Sequence, residues 1–577
     1  MKLSKRDLKP GKYKPRIAKE LKRLEEKNIV KRIWEKDPTV WKDDKEFDTL
    51  IKNRLGWLTL PVSMRQHLED INTFTADVIK EGFKYAIVMG MGGSSMCPEV
   101  CLETFGVKKG YLKLIVLDST DTKTICDFEN SIDIDTTLFI VSSKSGSTIE
   151  VDSFLRYFFD KVKSKKGAGA GRQFVAITDP HTHLESLANE NGFRKIFTNP
   201  ADIGGRYSAL SFFGLVPAAL IGVDVSKLLY NAEDMMTECT ISNPSKNSGV
   251  LLGVAAGELA KKGRDKLTFV ISKKIYSFGY WVEQLIAEST GKEGTGILPV
   301  EGEGLGKSSS YGNDRVFVNM KSGKESGAAK KFIKGMEKKN FPIINIDLKD
   351  VYDLGGQFFL WEFATAVMGE VLGINPFDEP NVKESKDNTS EVLKYYQEDK
   401  KLPEQQPISE SGDIKIYLDE KLFTKKLPSK NKLNKWKAED YIKFFLNSFG
   451  KGDYVAVMAY IQRNEKGEKM LQKIRELIRV RTKGATTIGY GPRFLHSTGQ
   501  LHKGGPDKGL FVQIVSDDSK DIEIPGQPYS FGILKQAQAT GDYQSLIQHK
   551  KKVLKINLGS DVTKGLEELY SLLKKAK

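Results

Sequence analysis

Two short loops carry the residues best suited to hold an anion. Residues 90–95, GMGGSS, follow the apolar run YAIVM, and residues 142–148, SSKSGST, follow the apolar run LFIV. Glycine lets a backbone approach a ligand closely, and the amides at a helix start favour phosphate. The hydroxyls of the second loop and its Lys144 add donors and charge. The first loop alone is equally compatible with a tight strand-to-helix turn, whereas the second indicates a bound phosphate.

Spacing argues against two common nucleotide-binding motifs. The dinucleotide fingerprint needs a third glycine where this chain has Ser95, and only Asp118, at the end of the next apolar run, fits it. The later stretch EGEGLGKSS is similar to a P-loop, but Glu301 occupies the position of its first glycine. Nucleotide binding is therefore the minor alternative.

The segments around both loops predict a parallel sheet. Five apolar segments, YAIVMG, LKLIVLD, TLFIVSS, QFVAITD and RKIFTN, alternate with helical patterns. Apolar strands without polar alternation are typical of parallel sheets that helices cover on both faces. Ligands of such sheets lie beyond the carboxyl ends of the strands, where both loops fall.

Similar patterns divide the rest of the chain, and we expect an α/β protein of several domains. The expected segments are a basic helical arm (1–60), a first α/β domain (61–245), a second α/β domain (246–395), a Lys-, Glu-, Pro- and Ser-rich linker (396–435) and a smaller C-terminal α/β domain (436–577). Loop 301–314 is rich in glycine and serine and is expected to be a mobile lid.

Composition and charge narrow the class of protein. The 577-residue chain has a net charge of +15 and no apolar run of the roughly 18 residues that span a bilayer. The first residues lack the apolar core of a signal peptide, so we expect a soluble cytoplasmic protein without a membrane partner. Residues 1–36 hold 14 Lys or Arg against 5 Asp or Glu, but they favour a solvated helical face over nucleic-acid binding. Neither the four cysteines nor His181 and His183 have the spacing of a metal site, so no metal is expected.

Several single residues have side chains suited to catalysis or ligand binding, although each also has an ordinary structural explanation. Arg206 follows two glycines at a helix start, Lys386 follows INPFDEPNVKES, and either would also make a surface salt bridge. Glu288 ends the segment WVEQLIAE, on what would otherwise be a solvated helix face. His496 and His502 flank the stretch STGQL and would also fit ordinary loop histidines.

Taken together and in order, these segments resemble the glucose-6-phosphate isomerase family. GMGGSS, SSKSGSTIE, GGRYS, EQLIAESTGK and INPFDEPNV are similar to that family's segments, from about residue 84 to residue 386. The resemblance is greatest to the isomerase half of fused transaldolase and glucose-6-phosphate isomerase proteins, whose C-terminal extension is similar to residues 440–559. It implies two flavodoxin-like sugar-isomerase domains with parallel sheets. The eightfold β/α pattern of a transaldolase barrel is not found in this sequence.

The resemblance implies an aldose-ketose isomerase that interconverts glucose 6-phosphate and fructose 6-phosphate in glycolysis and gluconeogenesis, without a cofactor. Glu288 would carry a proton between the first two carbons, and Arg206 would stabilise the enediolate oxygen. Lys386 would assist ring opening together with a histidine. Glu150 and Gly205 would contact the substrate, and its phosphate would be held by Gly93, Ser94, Ser143, Lys144, Ser145 and Thr148.

The chain departs from the family pattern at two places. The family has glutamine where this chain has Glu379, so the role of that position is open. The family's ring-opening histidine follows the catalytic glutamate closely, whereas this chain has no histidine between His183 and His496. Because TGQLHKGG resembles the missing stretch, we expect His502, with His496 second, to open the ring from the C-terminal domain. In common forms a partner subunit supplies that histidine, so a homodimer is less necessary here but stays an alternative.

Three other functions stay open at this point. A broader isomerase would also accept mannose 6-phosphate. A non-catalytic sugar-phosphate sensor would need the phosphate loops but no base such as Glu288, and it would usually carry a DNA-binding helix-turn-helix, which is not found. An amidotransferase-type synthase would need an N-terminal nucleophile, which MKLSKRD lacks.

Overall fold

A helical arm precedes three α/β sheets. The computed structural model describes residues 2–423, 433 and 435–576. A two-residue strand, β1 (Leu8–Lys9), comes first, and the helices before the first sheet are Lys14–Glu26, Ile29–Trp34, Asp48–Lys52, Leu60–Ser63 and Leu68–Lys80. The Trp41 indole donates a hydrogen bond of 2.8 Å to the Ala366 carbonyl oxygen. The basic arm is thus packed against the body of the protein.

The first sheet confirms the five parallel strands expected from the apolar segments. Its strands are β2 (Tyr85–Gly90), β3 (Lys113–Leu117), β4 (Thr137–Ser142), β5 (Phe174–Thr178) and β6 (Lys195–Thr198), in the order β3-β2-β4-β5-β6. The accompanying helices are Gly93–Phe105, Thr122–Ser131, Ile149–Lys166, His183–Glu190, Phe212–Leu220, Val225–Cys239 and Ser248–Ala260. The strand order reverses between β2 and β4, so a ligand crevice is expected at their carboxyl ends.

The second sheet repeats this plan. Its own strands are β7 (Lys266–Ile271), β8 (Leu298–Val300), β9 (Arg315–Ser322) and β10 (Ile343–Leu348), and its order is β1-β10-β9-β7-β8. Only β1 runs antiparallel, which ties the N-terminal arm to this domain. The helices are Phe278–Thr290, Gly327–Lys338, Leu354–Leu372 and Val382–Asp399. Here the order reverses between β7 and β9.

The third sheet forms the C-terminal domain. Its strands are β11 (Ser409–Ser411), β12 (Ile414–Leu418), β13 (Tyr454–Tyr460), β14 (Ala485–Tyr490), β15 (Gly509–Val515) and β16 (Lys552–Asn557), in the order β11-β12-β16-β15-β13-β14. Its helices are Ala438–Asn447, Glu465–Thr482, Gly499–Gly504, Phe531–Gln548 and Val562–Lys575. Strands β11 and β12 come from the expected linker, and Ile414 and Ile416 are fully buried in this domain's core. Residues 424–432 and 434 of that linker lie outside the described residues.

The parallel strands are unbroken apolar runs in the sequence because their side chains are buried on both faces of the sheet. All six residues of β4 and all seven of β13 are buried, because helices cover both faces of these sheets. No helix in the described ranges has the length and apolarity needed to cross a membrane.

Loop 301–314 is bound to the C-terminal domain and does not have the contacts of a free lid. Arg475 donates a hydrogen bond of 2.6 Å to the Glu301 carbonyl oxygen, and Arg479 donates to the Gly304 carbonyl oxygen. The Glu303 carboxylate accepts from Arg315 at 2.9 Å. Guanidinium groups of the C-terminal domain thus contact this segment, and its motion as a lid stays a prediction.

Candidate active site

One cleft brings together most of the residues that the sequence singled out. It lies at the carboxyl ends of β2 and β4, has a volume of about 460 Å³, and is walled by helix Phe278–Thr290 and by the C-terminal domain. The predicted site residues that line it are Gly93, Ser94, Ser143, Lys144, Ser145, Thr148, Gly205, Arg206, Glu288, Lys386 and His496.

Two glycines shape the first loop of the cleft. Gly92 has a φ of 57°, a left-handed conformation that favours glycine. Gly93 begins helix Gly93–Phe105, and a Cβ atom there would lie 1.9 Å from the Gly205 carbonyl oxygen. Because no larger residue fits, backbone and the small Ser94 form this wall, and the positive end of the helix faces the cleft.

The second loop presents hydroxyl groups and a cation. The hydroxyl oxygens of Ser143 and Thr148 lie 3.1 Å apart. The Lys144 ammonium is paired with the Asp179 carboxylate and donates a hydrogen bond of 3.2 Å to the Ala201 carbonyl oxygen. Lys144 therefore brings its charge to the cleft within an ion pair.

Glu288 is a buried carboxylate near the C-terminal end of helix Phe278–Thr290. The residue is 9% exposed, its Oε2 accepts a hydrogen bond of 3.2 Å from Gln284 Nε2, and its Oε1 lies 3.5 Å from Arg206 Nη1. Burial raises the pKa of the Glu288 carboxyl above its ordinary value, although the Arg206 charge opposes this. A buried carboxylate with a raised pKa at a cleft is suited to proton transfer.

The Arg206 guanidinium is held from several sides. Its hydrogen bonds go to Ser289 Oγ (2.7 Å), the carbonyl oxygens of Pro376 (2.8 Å) and Asp378 (2.9 Å), and Glu379 Oε2 (2.9 Å). Burial alone would lower the pKa of Arg206, but the carboxylates of Glu288 and Glu379 raise it above its usual value. The side chain is therefore a fixed cation beside Glu288.

A histidine of the cleft wall contacts a carboxylate that lies just beyond it, in an adjoining cavity. His496 ends the short 3₁₀ helix Arg493–His496, and its Nε2 lies 3.0 Å from Glu150 Oε1. The same oxygen accepts a hydrogen bond of 2.8 Å from Gln538 Nε2. Burial alone would raise the pKa of Glu150, but the adjacent His496 lowers it below its ordinary value. The His496 carbonyl oxygen accepts from Gln284 Nε2 at 2.8 Å, so one glutamine connects Glu288 with the C-terminal domain.

Comparison with known proteins identifies the family. Residues 62–297 match the family model described as phosphoglucose isomerase. A glucose-6-phosphate isomerase from Carboxydothermus hydrogenoformans is 28% identical over 403 residues, which cover 59% of this chain and 85% of that protein. A probable glucose-6-phosphate isomerase from Methanococcus maripaludis is 27% identical over 352 residues, or 54% and 79% of the two chains. Residues 62–297 of the chain thus belong to the phosphoglucose isomerase family.

This match and the named relatives together identify the chain as an isomerase. A solved structure, that of a hypothetical protein from Thermus thermophilus, is 23% identical with a TM-score of 0.56 and covers 67% of this chain and 99% of that one. This likeness supports the fold. The family match ends at residue 297, ahead of the C-terminal domain, and the resemblance to fused transaldolase proteins stays a prediction.

In this isomerase, His502 does not reach the cleft. It is 3% exposed and lies among the rings of Tyr454, Phe494 and Phe511, with centroid distances of 6.4, 6.1 and 5.0 Å. Neither ring nitrogen has a hydrogen-bond partner in the part of the chain that the structure describes, and burial lowers the pKa of His502 well below its ordinary value. The expectation that His502 lies at the cleft is therefore corrected, because helix Gly499–Gly504 turns it into the domain core, whereas His496 lines the cleft.

Lys386 is an exposed residue of helix Val382–Asp399. It lines the cleft and also an adjoining cavity of about 150 Å³, which it shares with Glu150, His496 and Gln538. Lys386 therefore borders the cavity that holds Glu150 and His496.

Several cleft residues were missed by sequence reasoning. Arg54 and Asp179 line the end of the cleft beside the serine-rich loop, Gln284 contacts Glu288, and Gln538, in the adjoining cavity, contacts Glu150. Gln284 lies four residues before Glu288 on one helix, a spacing that predicts contact. The other three come from distant segments and carry no local signal. Within the described ranges, no three His, Cys, Asp or Glu side chains are grouped to hold a metal ion.

Proposed function

We propose that this isomerase interconverts glucose 6-phosphate and fructose 6-phosphate through an enediolate, with Glu288 as the base. The observation that carries the proposal is the single cleft that holds the serine-rich loop, Glu288 and Arg206. One site thus offers an anchor for a phosphate and a carboxylate for proton transfer. The same substrates support the proposal of a role in glycolysis and gluconeogenesis.

The phosphate would bind against the two loops. Ser143 and Thr148 supply hydroxyl donors, the helix that begins at Gly93 supplies its positive end, and Lys144 supplies a cation. The partnership of Lys144 with Asp179 holds the ammonium at the cleft in the absence of substrate. Arg54, which also lines this end, adds a second positive charge.

The proton transfer would use Glu288. The carboxylate takes the proton from C2 of the open-chain aldose, and the electrons form an enediolate whose oxygen carries negative charge. The same carboxyl then returns a proton to C1, while the O2 hydroxyl proton passes to O1, so that C2 becomes the carbonyl of the ketose. Arg206, fixed 3.5 Å from Glu288, would stabilise that oxygen more strongly than the neutral carbonyl of the substrate. The raised pKa of Glu288 favours both the uptake and the return of the proton.

Ring opening would use His496. Opening a cyclic hemiacetal requires removal of the proton from the C1 hydroxyl and delivery of a proton to the ring oxygen. The bond to Glu150 orients the imidazole through Nε2 and leaves the other ring nitrogen for this exchange. Lys386 would contribute positive charge close to the ring oxygen.

A conversion in deuterium oxide tests the proposal. Fructose 6-phosphate is incubated with the protein in D₂O, and the product is examined by proton NMR. We expect glucose 6-phosphate that carries deuterium at C2, because the base exchanges its proton with solvent. No conversion would refute the activity, and conversion without deuterium after many turnovers would refute the enediolate.

A further inference from the structure

The second sheet has a cavity of its own, in the position that corresponds to the catalytic cleft of the first. The cavity has a volume of about 550 Å³ and lies where β7 and β9 end, between their carboxyl ends and the start of helix Gly327–Lys338. The strand order of this sheet reverses between β7 and β9, and α/β sheets bind ligands at such a reversal. Its lining shares no residue with the catalytic cleft.

The loop beside this cavity corresponds to the phosphate loop of the first domain. In the first sheet, β4 pairs with β2, ends at Ser142 and is followed by the loop SSKSGST and helix Ile149–Lys166. In the second sheet, β9 pairs with β7, ends at Ser322 and is followed by a short loop and helix Gly327–Lys338. Residues 321–327 read KSGKESG, so serine, glycine and lysine recur at the equivalent place.

The side chains at this cavity suit an anion. Ser322 is 8% exposed, and its hydroxyl makes no hydrogen bond within the described residues, although it lines the cavity. Lys273, Lys274 and Lys324 also line it, and none of the three has an ion-pair partner in the described part of the chain. The fourth lysine, Lys321, is paired with Asp347 at 2.9 Å.

Acidic side chains at the cavity do not cancel these lysines. The Glu303 carboxylate accepts hydrogen bonds of 2.9 and 3.1 Å from the buried Arg315 guanidinium, whose positive charge compensates that of the carboxylate. Glu325 is the remaining carboxylate of the lining, against three lysines without acidic partners among the described residues. The wall formed by residues 302–305 is held in place by Arg479, which donates to the Gly304 carbonyl oxygen.

We propose that this cavity is a second binding site, separate from the catalytic cleft, for a small phosphate-bearing anion. Ser322 and the start of helix Gly327–Lys338 would contact the phosphoryl oxygens, and Lys273, Lys274 and Lys324 would supply the charge. The anion is either free inorganic phosphate or the phosphate group of a sugar phosphate. The site does not depend on the reaction at Glu288.

Titration calorimetry on a protein with a disabled catalytic cleft tests the site. The starting protein carries Ser143→Ala and Thr148→Ala, and it is titrated at low salt with inorganic phosphate and, separately, with glucose 6-phosphate. We expect saturable binding at one site per chain, weakened tenfold or more by adding Lys273→Ala and Lys324→Ala. The matched control adds Lys330→Ala and Lys334→Ala, which remove the same charge from exposed positions outside the lining and should leave the affinity within twofold.

Each outcome decides the proposal. Equal affinity for both ligands assigns the site to the phosphate group alone, and tighter binding of glucose 6-phosphate assigns it to a sugar phosphate. Absence of saturable binding for both ligands would overturn the site. Binding that weakens equally in the control pair would also overturn it, because general surface charge would then explain the effect.

Discussion

At the scale of single residues, the Arg206 guanidinium lies between two carboxylates of the cleft, those of Glu288 and Glu379. Arg206 Nη1 lies 2.9 Å from Glu379 and 3.5 Å from Glu288. The Glu379 carboxylate is paired with Arg206. Burial raises the pKa of Glu288 most, the charge of Arg206 lowers it, and the negative charge of Glu379 raises it further. Glu379, which stands where the family pattern has glutamine, therefore influences the pKa of the proposed base, Glu288.

Replacing this charge should shift the pH dependence of the reaction. The acidic limb of the kcat/KM profile follows the pKa of the base in the free enzyme, since Glu288 must be a carboxylate to accept a proton. In Glu379→Gln one negative neighbour disappears and Arg206 is released toward Glu288, and both changes lower the pKa of Glu288. We expect the acidic limb to move to lower pH, as measured in a coupled assay across the acidic range.

The matched control is Glu391→Gln, an exposed glutamate on helix Val382–Asp399 outside the cleft lining. Its profile should overlay the wild type. An acidic limb of Glu379→Gln that stays in place or moves to higher pH would refute the coupling between Glu379 and Glu288.

Residue types and spacing pointed to the two loops, because serine-rich and glycine-rich turns carry local signals, and the family resemblance added Arg206, Glu288, Lys386 and His496. The partners of those residues could not be predicted in the same way. Asp179 binds Lys144 across 35 positions of sequence, and Gln538 binds Glu150 across 388. Such pairs arise only when the sheets and the C-terminal domain have packed.

At the scale of elements, two short helices decide which histidine serves the cleft. The 3₁₀ helix Arg493–His496 places its last residue beside Glu150, whereas helix Gly499–Gly504 places His502 in the core. The stretch TGQLHKGG favoured His502 over His496, because spacing does not show which way a short helix faces. The sequence also did not reveal β1, of two residues, or β11, of three, since such short strands carry no periodicity.

Substituting the two histidines should separate their roles. His496→Gln should lower turnover of cyclic glucose 6-phosphate on the order of 10²-fold or more, because acid-base catalysis of ring opening is lost. It should spare erythrose 4-phosphate, whose esterified C4 oxygen cannot close a ring. His502→Ala should instead lower the free energy of unfolding by about 2–4 kcal/mol through a core cavity and leave the ratio of the two activities unchanged.

Steady-state rates on both substrates and denaturant unfolding check this assignment. If His496→Gln slows both substrates equally, ring opening by His496 is refuted. If His502→Ala loses only the cyclic substrate, the expectation from the sequence for His502 is restored.

At the scale of the whole molecule, the C-terminal domain completes the cleft from within the same chain. It is joined to the first domain by two largely buried ion pairs, Arg493 with Asp118 at 3.0 Å and Lys535 with Asp121 at 3.0 Å. A third pair, Arg463 with Glu99 at 2.7 Å, has its arginine exposed at the surface. Removing one partner of a buried pair is costly, so the domain position is well fixed. His496 therefore needs no second subunit to reach Glu150.

Mixing two inactive variants tests whether each chain holds a complete site. Glu288→Gln and His496→Gln proteins are unfolded together, refolded and assayed with glucose 6-phosphate. Because both residues face one cleft of one chain, we expect only the sum of the two residual activities. Recovery well above that sum would show that chains exchange catalytic residues in an oligomer. A homodimer with separate sites is compatible with the expected result.

The proposed role of Glu288 is tested most directly by measuring kcat and KM of Glu288→Gln beside the wild type, in a coupled assay from fructose 6-phosphate to glucose 6-phosphate. Glutamine keeps the shape and the contact with Gln284 but cannot accept the C1 proton of fructose 6-phosphate. We predict a fall in kcat of about 10³-fold or more with KM within a few-fold, because the phosphate loops are untouched. A variant that retains wild-type kcat would contradict the assignment of Glu288 as the base.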